Sequence, residues 1–130
     1  MPADPILSAW TRQADAELFS ISLTLQVGGM LVSGQLVSAA AFWELLADSI
    51  AARGDGPPGD PESFANALMD MVDEDRASAP RSTQPATIFL HLRDTRCWSG
   101  GVMFPGPDQP GVPWRVPLEA IQGWTIGRMG

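Results

Sequence analysis

The sequence predicts an α+β fold: a small five-stranded β-barrel with an N-terminal helix and a two-helix insertion between strands 2 and 3. Three observations lead there. Phe19, Ile21, Leu23, Leu25 and Val27 alternate strictly with Ser20, Ser22, Thr24 and Gln26, and a period of two marks a half-buried strand. Gly28-Gly29 follows at once, then a second β-rich run from Met30 to Val37, so the pair reads as a hairpin. Strand character then lapses over 40–79, where the apolar residues take helical spacing, and returns at Thr87.

Each element has its own signals. Asp4-Pro5 supplies an N-cap and a first-turn proline, and Ile6, Leu7, Trp10, Ala14 and Leu18 fall near helical spacing, so 5–17 reads as an amphipathic helix. Glycine tolerates positive φ at both positions of the hairpin turn. Phe42, Leu46 and Ile50, with Trp43 beside them, mark a helix from Ala40 that stops at Arg53-Gly54, where glycine suits the position after the cap. Gly54 to Pro61 is a loop by composition. Asp60-Pro61-Glu62 restarts a helix with Phe64, Leu68, Met71 and Val72 as its apolar stripe, and Ser78 to Pro85 links it to the strands beyond.

In the third strand Ile88, Leu90 and Leu92 face one way and Phe89, His91 and Arg93 the other, with Cys97 and Trp98 continuing it past a bend near Asp94. Residues 99–113, rich in glycine and proline, read as a loop. Trp114 to Leu118 is a short strand that Pro117 confines to an edge, and Ile121 to Ile126 is the last. Five short strands bury a one-sided sheet either by curling into a barrel or by packing against helices. The order resembles the Sm-like form of the SH3-type barrel, with Gly34 placed for a bend in strand 2 and Leu118-Glu-Ala-Ile121 as the turn between the last two strands. An open α+β sheet with helices on one face is the second expectation.

Composition bounds the function. The 130 residues fit one domain, 1–130, with 45% hydrophobic and 18% charged residues, a globular balance. No apolar run approaches the roughly 20 residues of a membrane span, and no basic-then-apolar leader opens the chain. The one cysteine, Cys97, excludes an internal disulfide and fits a reducing cytoplasm. A net charge of −7 opposes contact with phosphate backbones, and all eight basic residues are arginine.

Catalytic and metal chemistry find little to stand on. His91 is the only histidine, and Cys97 has no Cys or His nearby to complete a zinc site. Cys97, between Arg96 and Trp98, lacks an evident base and reads as buried at the sheet end. Gly28-Gly29 opens no helix and is therefore no phosphate loop. Asp70, Asp73, Glu74 and Asp75 lack calcium-loop spacing and read as a solvated helix end or a face for basic partners. Trp10 and Trp43 fall on helical stripes. Trp98, Trp114 and Trp124 are equally suited to a core or, with Arg115, to a contact surface. No cofactor is expected.

The stretch Leu25-Gln-Val-Gly-Gly-Met-Leu-Val-Ser-Gly-Gln-Leu-Val-Ser38 resembles the signature of the gas vesicle accessory protein U (GvpU) family. Phe42-Trp43-Glu44, Ile88-Phe-Leu-His-Leu-Arg-Asp94, Trp114-Arg115 and Ile121-Gln-Gly-Trp-Thr-Ile-Gly127 match it in the same order, so the likeness covers about half the chain and every predicted strand. The resemblance implies a cytoplasmic, non-catalytic accessory protein acting in vesicle assembly or clustering. Its implied partners are itself, as a homo-oligomer, and gas vesicle proteins or the vesicle surface, with no nucleic acid. The alternative, an Sm-like nucleic-acid-binding module, rests on fold analogy alone.

Overall fold

The computed structural model describes residues 4–54, 59, 61–78 and 88–128, without the side chains of 61 and 72–78. Helix α1, Pro5–Asp15, begins as its sequence dictates. Asp4 Oδ1 accepts hydrogen bonds from the amides of Ile6 and Leu7, at 2.8 and 3.2 Å, and Pro5 takes the first position. The helix stops short of the predicted residue 17 because Glu17 turns to a φ of 60°.

Strands β1, Ser22–Val27, and β2, Met30–Val37, pair antiparallel with Val27 opposite Met30 and only the two glycines between. Gly28 alone has a positive φ, 59°, so the turn uses the left-handed region once rather than twice. Phe19 and Ile21 fall before the ladder yet still pack against the core. Helix α2, Ala39–Ala52, is capped by Ser38 Oγ, which accepts from the amide of Ala41 at 3.1 Å, and ends before Gly54, whose φ is 77°. Helix α3, Pro61–Ser78, packs on α2. The expected Asp60 cap, most of the 54–61 loop and the Ser78–Pro85 link beyond Ser78 lie outside the described residues.

Beyond residue 87 come β3, Phe89–Ser99; β4, Val102–Phe104; β5, Val112–Pro117; a 3-10 turn, Leu118–Ala120; and β6, Gly123–Ile126. The six strands of the described residues form one antiparallel sheet in the order β4-β3-β2-β1-β6, with β5 on the same edge of β3 as β4. The sixth strand corrects the five-strand expectation. Gly100 and Gly101, at φ 57° and 80°, reverse the chain so that Val102–Phe104 pairs back on β3, inside a stretch read from sequence as loop.

The sheet is open, which corrects the Sm-like barrel. β5 pairs with β3 and β6 with β1, and among the described residues no ladder joins β5 to β6. The 3-10 turn carries the chain across, tied by Leu118 N–H to the Ile88 carbonyl at 2.9 Å and Gln122 N–H to that of Gln26 at 2.8 Å. Strands of three and four residues at the two edges are too short for the tilt and stagger that close a barrel.

Helices bury the faces instead, one on each side. Leu90 and Leu92 join Leu7 and Ala14 of α1 with Leu23, Leu25 and Leu36 in the core. His91, between them, points the other way and meets the Phe42 ring of α2 at 4.8 Å. An open sheet with helices on one face is thus closer than the barrel, but α2 takes the second face.

The expected bend is present on both strands that share it. Pairing of β2 with β3 shifts register between Ser33 and Gln35, and pairing of β3 with β5 shifts between Leu92 and Thr95. Asp94 has φ 52°, and a Cβ on Gly34 would lie 2.7 Å from Thr95 Oγ1 and 3.0 Å from the Arg93 carbonyl oxygen. Only glycine lets the strands come this close.

Candidate interaction surface

Two of the three strand tryptophans are held by the core. Trp124 stands opposite Leu25, meets Trp10 edge-on with ring centroids 5.1 Å apart, and donates from Nε1 to Asp4 Oδ2 at 3.2 Å. The Asp4 carboxylate therefore serves helix α1 and strand β6 together. Its pKa is drawn below the usual range, first by the Trp124 hydrogen bond, then by the Leu7 amide. Trp114 stands opposite Leu92 and packs half-buried against the same core.

Trp98 is placed differently. It lies across from Leu31 and Met103 and lines a cleft of about 500 Å³ with Ser33, Asp94, Arg96 and Arg128. The charges in that cleft are engaged by the protein itself. Arg96 donates to the carbonyls of Pro105, Gly106 and Gln109, at 3.2, 2.8 and 2.6 Å, and Arg128 pairs with Asp94 at 2.7 Å. The Arg128 hydrogen bond is the main cause that holds the Asp94 carboxyl below its ordinary pKa. The cleft therefore fastens the 105–109 loop and the chain end to β3.

Arg115 is exposed on β5, with its guanidinium 3.9 Å from the Phe89 ring centroid and 5.2 Å from that of Trp43. Asp70 is exposed on α3, while the side chains of Asp73, Glu74 and Asp75 lie outside the described residues. These candidates do not converge. Trp114 and Trp124 sit in strands on opposite sides of the sheet, Trp98 faces the cleft, and Asp70 is on a helix that packs on α2.

Cys97 is half-buried, and burial pushes its thiol pKa up, away from the reactive thiolate. His91 is buried beside the rings of Phe42 and Trp43. Among the described residues no three His, Cys, Asp or Glu side chains gather as a metal site. No helix among them is long and apolar enough to cross a membrane.

What the sequence reading missed is the apolar character of the sheet edges. Val102 and Phe104 of β4 are 71% and 61% exposed, and Ile126 of β6 is 61% exposed. The signal was present, because Gly100-Gly101 repeats the glycine pair of Gly28-Gly29 and is followed at once by the apolar run Val102-Met103-Phe104.

Compared with known families, residues 4–129 match the model described as Gas vesicle protein GvpU-like. No curated protein and no solved structure matches the chain. The family match spans the helices and loops as well as the strands on which the sequence likeness was first seen.

Proposed function

This chain belongs to the GvpU-like family of gas vesicle proteins, and from that membership we propose that it is a non-catalytic accessory protein that associates with itself and contributes to vesicle assembly or clustering. The match over 4–129 carries this reading, since it takes in nearly every residue that shapes the sheet and its helices. The half-buried thiol of Cys97 and the enclosed ring of His91 support a role without catalysis. The partners are further copies of the chain and the proteins or surface of the vesicle, met in the cytoplasm. Nucleic acid is not among them, because a net charge of −7 works against the counterion release that drives such binding.

Gas vesicles float, and this gives a direct test. After centrifugation of a gently lysed vesicle-forming culture, the chain should rise with the buoyant layer, and deleting its gene should change the number or clustering of vesicles seen by electron microscopy. A chain that stays wholly in the cleared liquid, with vesicles unchanged by its loss, would overturn the proposal.

A further inference from the structure

We propose that His91 is an acid-sensitive catch beneath α2: with its imidazole neutral the helix lies seated on the second face of the sheet, and protonation lifts it. The inference concerns how the two halves of the chain hold together and does not depend on the self-association proposed above.

Strand alternation turns His91 away from Leu90 and Leu92 and towards α2, so the one histidine of the chain lies at the contact between sheet and helix. It is 6% exposed. The Phe42 ring lies 4.8 Å from it and the Trp43 ring 6.4 Å, both from the first turns of α2. A neutral imidazole packs there as an aromatic ring does. An imidazolium fits badly, because burial strips its water and the Trp43 ring already carries the Arg115 guanidinium 5.2 Å from its centroid.

The charges on this face share one sign. Arg115 is the residue that β5 sets opposite His91, and its guanidinium also stacks on Phe89 at 3.9 Å. Arg93, two residues along β3, projects to the same side. β2 offers only uncharged groups, with Val37 opposite His91 and Gln35 opposite Arg93. Among the described side chains of α2 and α3, the carboxylates Glu44, Asp48, Glu62 and Asp70 are exposed to solvent. A proton on His91 therefore sets a second cation beside Arg115 in a place nearly closed to water.

The hold on α2 is small enough for one charge to matter. The helix buries only Phe42 and Ala47, and Phe42 is the ring that rests on His91. A histidine released to water takes up its proton at about pH 6.5. A seat that requires the neutral ring is supported in full above that pH and loses the support as pH falls below it.

Hydrogen–deuterium exchange of the full chain, corrected for intrinsic rates, tests this. Between about pH 7.5 and about pH 5.5 the amides of α2 should come to exchange about tenfold faster, while those of β1 and β2 keep their protection. His91→Gln, uncharged at both values, should abolish that acid response, and His91→Phe serves if the glutamine variant misfolds. Either substitution can loosen α2 at every pH, but a merely packing role for His91 would leave the ratio between the two conditions unchanged. In the unmodified chain the Cε1 proton of the single histidine should titrate by NMR over the same range in which α2 loosens. Protection of α2 that ignores pH or grows in acid, an acid response that survives both substitutions, or an imidazole that stays neutral while α2 loosens would each overturn the proposal.

Discussion

The helical stretch 39–78 and the rest of the chain divide the molecule's labour. The stretch holds nine carboxylates and two arginines, and the remainder holds six of each, so the whole net charge of −7 sits on α2, α3 and their connection. Burial runs the other way. The core is built by α1 and the sheet, whereas α2 contributes only Phe42 and Ala47 as buried residues, and the described side chains of α3 only Ala65. A neutral sheet half carries the fold and an acidic helical half rides on it. The two meet where Phe42 touches His91 and Trp43 touches Arg115.

That junction is the first place to press. Phe42 is 3% exposed, and Phe42→Ala opens a gap between α2 and the second face of the sheet. The loss should be about 3 kcal/mol, at the low end for a buried phenylalanine because half-buried Trp43 can lean into the space. Denaturant unfolding checks it. A loss under about 1 kcal/mol would mean that the helical half is not fastened through this ring.

Within the sheet half, Gly34→Val should cost about 2–3 kcal/mol, because its Cβ meets Thr95 Oγ1 at 2.7 Å and backbone at 3.0 Å where two strands bend together. Gly54→Ala, in open space at the end of α2, should cost only about 1 kcal/mol of left-handed strain at its φ of 77°. Gly29→Ala, with nothing within 4 Å and no positive φ, should be nearly neutral. Equal melting temperatures for the three would remove the bend as the sheet's tightest point.

The two halves were also unequally legible in sequence. Local signals were strong in the first part of the chain: the Asp4 cap, the Val27–Met30 turn and the glycine at the bend can each be read within a few residues. β4 escaped because three residues make no periodic pattern, though Gly100-Gly101 announced its turn. Barrel closure was misjudged because the edge on which β5 and β6 settle is decided by pairing with strands far away in sequence. The tryptophan question had the same origin. Trp114 and Trp124 pack half-buried against the core because they stand opposite Leu92 and Leu25, and register is invisible until the sheet exists. The scattered candidate surface shares this cause, since a list of aromatic and acidic residues does not say which edge each one reaches.

A smaller effect lies in the charges of the sheet half. Asp94 has its pKa depressed in the folded state, chiefly by Arg128, so the carboxylate favours the fold at neutral pH. That contribution is fully present above the pKa of an unfolded aspartate and is lost as pH falls through the lower folded value. With the pair's side chains 38% and 50% exposed, Asp94→Asn should cost less than about 1 kcal/mol at pH 7 and nothing in strong acid. Thermal unfolding of both forms from pH 7 down to pH 2 should therefore converge. A constant difference across that range would assign the loss to packing in the cleft instead.

The smallest effect belongs to the acidic half, and it concerns association rather than folding. Asp70, Asp73, Glu74 and Asp75 cluster near the end of α3, where the helix dipole gives them no help. Copies that associate would bring these acidic helices near one another, and at low salt they repel. At about 0.15 M salt the Debye length is near 8 Å, enough to screen exposed charges on neighbouring copies. Assembly should accordingly rise several-fold between low and physiological salt, as expected when a handful of exposed like charges each contribute a few tenths of a kcal/mol. Replacing all four by Asn or Gln should raise low-salt assembly to the same level and flatten the salt response. Sedimentation velocity of both forms across a salt series reads this directly. The melting temperature should barely move in the same variant, because α3 packs on α2 and Asp70 faces solvent. Assembly indifferent to salt and to the four substitutions would leave the charge of the helical half without influence on how copies meet. Assembly that weakens with salt would mean that the acidic helices attract, and their counterpart would then be sought among the exposed arginines of the sheet, Arg93 and Arg115.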